Sequence, residues 1–270
     1  MAKLVAAVGT PHGPMLPKQV ADAPGQLRSE ALMTQVRNEL EKAEPDLIFV
    51  VASDHFTNFF YNNLPQFCVG AIEEAEGPAE TYCIMPRRQI KGQPDVAKGL
   101  LAYGINSNFD LAVTEELHLD HSVLVPLHFL VHRTDTPVIP LYVNGLAPPL
   151  PSARRCFGLG QMLRKFIEEW PGDQRVALLA SGSISLEVGG PKVGTTDGRW
   201  MDTVTDLLEK GDYLSLARRA TGKRMAAAGN VSGELLCWIT VTGAVGEVRP
   251  TFVEREEGGG FVAWDLEQMA

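Results

Sequence analysis

Two histidines near the start of the chain occupy equivalent places, each following a short apolar run and preceding a polar loop. His12 follows residues 4–8 (LVAAV), and His55 follows residues 47–51 (LIFVV). Both runs are too short and too rich in β-branched residues for helices, so they predict buried strands. In open α/β sheets, ligands bind outside the carboxyl ends of the strands, where both imidazoles would lie. The pair therefore suggests two ligands of one metal ion, although each histidine could instead only hydrogen-bond within its loop.

A candidate third ligand lies far along the chain, in the segment GNVSGELLCWIT at residues 229–240. Gly229, Asn230 and Gly233 favour a turn, after which Glu234 opens an apolar run that is predicted to be helical. A carboxylate in a first helical turn can simply interact with the helix dipole. A charged residue beside so apolar a stretch is also expected to be partly buried, and a buried carboxylate requires a cation. The sequence is compatible with both interpretations of Glu234.

The elements that would position these side chains alternate between strand-like and helix-like segments. Residues 27–43 carry apolar residues at helical spacing, and Pro45 ends this helix just before the second strand. The alternation is typical of an α/β domain with a central, largely parallel or mixed sheet flanked by helices. Residues 248–265 predict an edge hairpin or a late strand pair. Further strands are predicted at 67–72, 110–114, 137–143 and 175–181, and further helices near 94–104, 157–169 and 198–209.

Composition and charge restrict the class of protein. The chain has 270 residues, of which 45% are hydrophobic and 21% charged, as is ordinary for a globular protein. The formal charge of −9 argues against nucleic acid or an anionic membrane as partner. The apolar stretch at the N-terminus is too short for a secretory signal, and no run is long enough for a membrane span, so a cytoplasmic location is expected. The four cysteines lack CxxC spacing, which indicates buried thiols.

Two histidines and one carboxylate form the facial triad of non-haem Fe(II), which leaves coordination positions open for substrate and O₂. Four segments, GTPHGP, VASDHFTNFFYNNLPQFCVG, LDHSVLVPLHFL and GELLCW, resemble motifs of the class III extradiol dioxygenases, the superfamily of the β chain of protocatechuate 4,5-dioxygenase. The resemblance extends from residue 4 to about residue 245 and implies a single catalytic domain of the β-chain type over residues 1–270. It also implies that His12, His55 and Glu234 bind Fe(II).

The resemblance implies a reaction as well as a metal. A catechol that binds the cation through both oxygens becomes easier to deprotonate, and O₂ opens the ring beside the two hydroxyls. The expected partners are therefore O₂ and a small catechol-like or aminophenol-like aromatic. The family's small partner chain or cap domain is not evident in the sequence. The pocket could thus be closed by a second copy, in a homodimer, or by a separate small chain.

The chain departs from the family at the acid/base residue. The family's principal histidine lies in a segment similar to GGxSH, whereas this chain has SGSISLE at residues 181–187, with Leu186 at the histidine position. Leucine cannot transfer a proton. The candidate replacements are Glu187, Ser185 and His121, and His121 lies in a DHS segment that matches the family's DHG-like motif. Catalytic roles are assigned on this basis to His121 and Glu187.

The remaining histidines and a pair of arginines give weaker signals. His128 and His132 are four residues apart on a probable helix, but they lack the glutamate of an HExxH zinc site. His118 lies among acidic residues and is expected at the surface. Arg87 and Arg88 could bind a substrate carboxylate, although a solvated loop is the simpler expectation.

Two functional classes remain after these comparisons. The sequence contains no P-loop, GxGxxG or GxSxG motif, which disfavours nucleotide enzymes and serine hydrolases. The first remaining class is an Fe(II)-dependent extradiol ring-cleaving dioxygenase. The second is a catalytically silent or weak subunit of the same fold that pairs with an active homologue. The intact set of ligands favours the first class, and Leu186 favours the second.

Overall fold

Strands and helices alternate along residues 1–267, the part of the chain that the computed structural model describes. The strands are β1 (Lys3–Thr10), β2 (Leu47–Ala52), β3 (Phe67–Gly70), β4 (Glu74–Gly77), β5 (Arg88–Lys91), β6 (Ala112–Thr114), β7 (Val138–Val143), β8 (Arg175–Ser181), β9 (Phe252–Glu256) and β10 (Gly259–Asp265). The helices are α1 (Leu16–Asp22), α2 (Arg28–Lys42), α3 (Pro94–Asn106), α4 (His121–Leu130), α5 (Ala153–Glu169), α6 (Gly198–Lys210), α7 (Tyr213–Arg219), α8 (Gly222–Ala228) and α9 (Leu235–Val245).

A mixed sheet of eight strands organises the molecule. Its strand order is β6-β3-β7-β2-β8-β1-β10-β9, while β4 and β5 form a separate antiparallel pair. The four central strands β7, β2, β8 and β1 run parallel to one another, and β3 and β10 flank them in the antiparallel direction. The carboxyl ends of the central strands therefore meet at one edge of the sheet. This arrangement confirms the mixed α/β sheet predicted from the sequence.

The structure contains every strand and helix predicted from periodicity, with bounds that differ by a few residues. The C-terminal strand pair is also present. Of its two strands, β9 lies at an edge of the sheet, whereas β10 lies inside it because β10 also pairs with β1. The sequence did not indicate α1, α7, α8 or the β4–β5 pair. These elements have four to seven residues, too few for a reliable periodic signal.

Helices cover both faces of the sheet, and α9 lies deepest among them. All of its residues, Leu235–Val245, are buried, so the Thr240 hydroxyl donates to the carbonyl oxygen of Leu236 within the helix. α9 packs against α5 at Gly160, where an added Cβ would lie 1.8 Å from the carbonyl oxygen of Thr240. This close contact fixes the middle of α9 against α5.

The structure can be compared with two expectations from composition, the state of the cysteines and the presence of a membrane-spanning helix. Cys68, Cys83, Cys156 and Cys237 are buried free thiols, as their spacing predicted. No helix within residues 1–267 has the length and apolar character needed to cross a membrane.

Candidate metal centre

Three side chains from distant parts of the chain meet at the carboxyl edge of the sheet. His12 lies two residues after β1, His55 lies three residues after β2, and Glu234 ends the 3₁₀ turn Ser232–Glu234 before α9. The Nε2 atoms of His12 and His55 lie 3.3 and 3.1 Å from one oxygen, Oε1 of Glu234. Ligand atoms held at right angles around one ion, at about 2.1 Å from it, are about 3 Å apart. The three atoms therefore fit a shared metal ion, and we call His12, His55 and Glu234 the metal-binding cluster.

The hydrogen bonds of His12 leave the nitrogen that faces Glu234 free for a metal. Nδ1 of His12 lies 2.8 Å from Oγ of Ser181, the last residue of β8. The Ser181 hydroxyl donates its only proton to the carbonyl oxygen of Ser122, so its oxygen must accept a hydrogen bond from Nδ1–H of His12. In that tautomer the lone pair is on Nε2, as a metal ligand requires.

His55 is held by the buried carboxylate of Asp120. Oδ2 of Asp120 accepts a hydrogen bond from the backbone N–H of His55 at 2.8 Å and lies 3.3 Å from Nδ1 of the imidazole. The other oxygen, Oδ1, accepts the backbone N–H of Ser122 and so caps α4. One carboxylate therefore fixes the start of a helix and also orients His55, whose Nε2 faces Glu234.

Glu234 reaches both histidines because the chain around it is tightly packed. Its Oε2 accepts the backbone N–H of Ser183 at 2.6 Å, which holds the carboxylate against the loop after β8. A Cβ added at Gly182 would lie 2.8 Å from Cβ of Glu234, so a larger residue there would displace the carboxylate. Glu234 is 1% exposed, which confirms the burial expected from the apolar run that follows it. Within the described residues its side chain makes no capping hydrogen bond to α9, so it is not a simple helix cap.

The buried charges of the cluster require a cation. Burial raises the pKa of Glu234, but the neighbouring His12 and His55 outweigh this effect and hold the pKa well below its usual range. Burial lowers the pKa of His55, yet its hydrogen bonds with Asp120 and Glu234 raise that pKa to about 10. In the metal-free protein, a proton on His55 would therefore offset one of the two negative charges of Asp120 and Glu234. A divalent cation would replace that proton, and two imidazoles with one carboxylate are a suitable donor set for it.

A third imidazole, that of His121, stands beside the cluster. The ring centroids of His121 and His55 are 4.2 Å apart, and one ring nitrogen of each of His12, His55 and His121 lies within 4.8 Å of the others. Nδ1 of His121 lies 2.5 Å from Oε1 of Glu80, and Nε2 has no hydrogen-bond partner among residues 1–267. Burial lowers the pKa of His121, although the hydrogen bond with Glu80 opposes this effect. A neutral imidazole in this place can accept a proton.

Among the three suggested replacements for the family's acid/base histidine, His121 is the one that lies beside the cluster. The hydroxyl of Ser185 is fully buried and makes two hydrogen bonds with backbone groups. Oε2 of Glu187 accepts the backbone N–H of Asn230 at 2.9 Å. Within residues 1–267, Glu187 makes no hydrogen bond to the cluster. The geometry therefore supports a catalytic role for His121 and does not support one for Glu187.

Leu186 lines a cavity of about 630 Å³ beside the cluster. The same cavity is lined by Pro11 and Gly13, which flank His12, and by Ser183, which hydrogen-bonds to Glu234. A space of this size can hold a small aromatic molecule. Leu186, at the position expected for the family's histidine, therefore borders a cavity whose lining includes chain neighbours of the candidate ligands but not the ligands themselves.

The weaker candidates lie outside the cluster. His118 is exposed, as expected from its acidic neighbours. His128 is in α4, but His132 lies beyond it because the chain becomes extended after Leu130, so the expected pair on one helix is wrong. Arg87 is exposed and forms an ion pair with Glu76.

Three residues of the site were given no role from the sequence: Asp120, Ser181 and Glu80. Asp120 has a recognisable signal, because an aspartate directly before an apolar helical run is a typical N-cap. Ser181 ends a predicted strand, and strand ends are where ligand-holding residues collect. Glu80 has no such signal, because it lies in a loop 41 residues before its partner His121.

The fold and the cluster together define a class: an α/β protein with two histidines and one carboxylate gathered, as a candidate metal centre, at the carboxyl edge of its sheet. Residues 6–258 match the family described as the catalytic LigB subunit of aromatic ring-opening dioxygenase. The chain therefore belongs to this family, which confirms the resemblance seen in the four sequence motifs.

Curated relatives carry the name 2,3-dihydroxyphenylpropionate/2,3-dihydroxicinnamic acid 1,2-dioxygenase. The protein of Burkholderia vietnamiensis is 32% identical over 191 residues, which cover 70% of this chain and 57% of the relative. A protein of Pseudomonas putida with the same name, number 2, is 34% identical over 167 residues, 62% of this chain and 51% of the relative. The matched region thus spans little more than half the length of these relatives.

A solved structure shows the same fold. The crystal structure of an uncharacterized protein from Escherichia coli K12 superposes with a TM-score of 0.59 and covers 96% of this chain and 98% of its own. The two sequences are 18% identical, so the likeness concerns the fold alone.

Proposed function

We propose that this protein is a non-haem Fe(II)-dependent extradiol dioxygenase that inserts O₂ into a catechol-like or aminophenol-like aromatic ring. The observation that carries the proposal is the convergence of Nε2 of His12 and Nε2 of His55 on Oε1 of Glu234, within 3.3 Å. Two imidazoles and one carboxylate are the facial ligand set of Fe(II) oxygenases. Membership of the LigB family supports the same reaction class.

The chain's own residues have distinct tasks in this proposal. When bound, Fe(II) would lower the pKa of a catechol hydroxyl and provide the redox chemistry for O₂. Ser181 and Asp120 keep the two ligand imidazoles turned with Nε2 toward the metal. His121 stands beside them with Nε2 free, and its lowered pKa keeps it neutral near pH 7, so it can take the proton from the substrate hydroxyl.

The leucine at position 186 bears on the choice of substrate. Leu186 provides no base on its side of the cavity, so the substrate must ionise readily or rely on His121. We therefore expect turnover of activated rings, such as those with an electron-withdrawing carboxylate or an amino group in place of one hydroxyl. Plain catechol should be a poor substrate.

Exposed aromatic side chains support the proposal of a covering partner. Tyr61 is 81% exposed and Tyr82 is 52% exposed, and the Tyr82 ring centroid lies 6.0 Å from that of His121. Aromatic residues of this kind are enriched at protein interfaces. A second copy of the chain, in a homodimer, or a small separate chain would cover them. We propose a cytoplasmic location for the assembly.

Metal analysis with alanine variants tests the proposal most directly. After anaerobic reconstitution, the wild type should hold about one Fe(II), as a single facial site requires. His12→Ala, His55→Ala and Glu234→Ala should lose the iron and all O₂ uptake with an activated diol, while circular dichroism shows a retained fold. The exposed histidine variant His118→Ala is the matched control and should behave as wild type. Stoichiometric iron in His55→Ala would contradict the assignment.

The alternative, a silent or weak subunit, is favoured by one observation, namely the leucine that faces the cavity at position 186. In that case the fully iron-loaded protein would be inactive on every diol and aminophenol, and a co-purified homologue would supply the activity. Measurement of O₂ uptake by the chain alone, and then together with such a homologue, distinguishes the two candidates.

A further inference from the structure

We infer that Glu80 is the positioning residue for His121, holding its imidazole in the Nδ1–H tautomer so that the lone pair of Nε2 faces the space beside the metal-binding cluster. The kinetic part of this inference rests on the proposed function. The structural part, the tautomer, can be tested without any turnover.

Two donors of His121 point at one oxygen of Glu80. Oε1 of Glu80 lies 2.5 Å from Nδ1 of His121 and accepts the backbone N–H of the same residue at 3.2 Å. The same oxygen already acts as the acceptor for the backbone N–H, so the proton of the short contact is on Nδ1. A neutral imidazole with its proton on Nδ1 has its lone pair on Nε2. Glu80 therefore selects the tautomer in which Nε2 is an acceptor.

The contact lies in a nearly closed environment. The side chains of His121 and Glu80 are 5% and 9% exposed. The second oxygen of the carboxylate, Oε2 of Glu80, is buried and has no hydrogen-bond partner within residues 1–267. A buried, unpartnered carboxylate oxygen destabilises a fold. Stability alone therefore does not account for a glutamate in this place, and a role toward His121 does.

The backbone before Glu80 is anchored so that the side chain reaches α4. The N–H of Ala79 donates to the carbonyl oxygen of Leu119 at 2.8 Å, two residues before His121. A Cβ added at Gly77 would lie 2.2 Å from that same oxygen, so only glycine allows this approach. The connection from β4 to β5 is thus bound directly to the start of α4. The backbone therefore places Glu80 next to His121, so that the contact does not depend on a flexible side chain alone.

Orientation of His121 matters more in this chain because Leu186 has replaced the histidine of the family. His121 is then the imidazole that remains beside the metal-binding cluster without being one of its ligands. The direction of its Nε2 decides whether a substrate hydroxyl finds an acceptor. A ring that flips or changes tautomer would present a donor or a carbon atom instead.

Two substitutions separate the hydrogen bond from the charge of Glu80. Glu80→Gln keeps an acceptor oxygen, and the backbone N–H of His121 should keep that oxygen facing Nδ1. Glu80→Leu has similar size but removes the acceptor. Glu76→Gln is the matched control, because Glu76 lies in the same segment but is exposed and pairs with Arg87.

Nitrogen-15 NMR of the histidine rings in the Zn(II)-loaded protein reads the tautomer directly, with the His121 signals identified by their loss in His121→Ala. The wild type, Glu76→Gln and Glu80→Gln should all show the proton on Nδ1 of His121. Glu80→Leu should show the Nε2–H form or a mixture, with unchanged zinc content. If the leucine variant does not fold, Glu80→Ala takes its place. If the His121 signals of the variant without the acceptor match those of the wild type, the inference is overturned, whether or not the protein turns over a diol.

The rates provide the second test. In the Fe(II) enzyme, Glu80→Leu should lower kcat about 10- to 100-fold, the scale seen when an orienting partner is removed, and should change KM less. Glu80→Gln should recover most of the loss. The double variant Glu80→Leu/His121→Ala should be no slower than His121→Ala, because the two residues act as one unit. A Gln variant as slow as the Leu variant, or additive losses in the double variant, would overturn the positioning role.

Discussion

The candidate site has two sides that are built differently. On the ligand side, His12 and Glu234 are buried between strand ends and a fully buried helix, and each is fixed by a short hydrogen bond. On the side where His121 stands, which we call the open side, His121 depends on Glu80, which lies in a loop, and the half-exposed Tyr82 is a further neighbour. Under the proposed function, the comparison means that strand ends and a buried helix hold the metal ligands, whereas a loop orients the proton acceptor. Changes on the two sides should therefore have separable effects.

The largest expected effect is a loss of turnover without a loss of iron, and it comes from His121→Ala. Turnover of an activated diol should fall by about 10²-fold or more, the usual scale for loss of a general acid or base, while the iron content stays at the wild-type value. Variants of the ligand side should lose iron and activity together. Parallel iron analysis and O₂ uptake check this contrast. Normal turnover by His121→Ala would show that this imidazole has only a structural role.

The second change adds a base to the open side. Leu186→His places an imidazole at the cavity wall, and we expect turnover of plain catechol to rise by up to about 10²-fold, the lower end of the effect of a positioned base. Iron affinity should not change, because the side chain of Leu186 has no hydrogen-bonding group and so does not hold any of the ligands in place. Comparison of kcat/KM for plain and activated rings measures the effect. An unchanged substrate range would mean that position 186 does not face the reacting ring.

The third change weakens the ligand side without removing a ligand. Asp120→Asn should lower metal affinity about 10- to 100-fold, because the carboxylate that orients His55 is lost. Asp120 also caps α4, so the matched control is Asp197→Asn at the corresponding N-cap of α6. Competition with a chelator of known affinity gives the dissociation constants. Equal affinity losses in both variants would assign the effect to helix capping.

The smallest expected effect is a pH dependence of stability in the metal-free protein. The pKa of His55 rises from 6.5 to about 10 on folding, so its stabilising contribution is complete below pH 6.5 and is lost as the pH rises toward 10. The Tm should fall by several degrees between pH 7 and pH 10, since about 1 kcal/mol corresponds to about 2–4 °C for a chain of this size. Bound Zn(II) or Fe(II) replaces the proton and should flatten this curve, as should His55→Ala. An equally steep curve with saturating metal would contradict the assignment of the pH dependence to the proton on His55.

The ligand side was largely predictable from the sequence. Short β-branched runs mark the strands before His12 and His55, and parallel strands must present their carboxyl ends at one edge. Glu234 was recognisable because a lone charge before an apolar run is unusual. These signals are local, so they survive without knowledge of the tertiary structure.

The open side could not be predicted in the same way. The sequence offered His121, Ser185 and Glu187 as candidates and assigned roles to His121 and Glu187, because the resemblance shows which residue is missing and not which one replaces it. The contact of Glu80 with His121 joins residues 41 positions apart, and it depends on a connection between two strands of four residues each. Neither the loop path nor the partial burial of Glu80 has a periodic signature.

The place of β1 in the sheet has a consequence for how the protein is made. β1 lies between β8 and β10, so the strand that leads to His12 has no strand partner until residues 175–181, and then 259–265, have been synthesised. Pairing over such separations in sequence is slow. During translation, His12 and His55 therefore leave the ribosome long before Glu234 is synthesised. Under the proposed function, metal loading should accompany the last step of folding, and a cell short of the metal would accumulate chains in which this part of the sheet opens most readily.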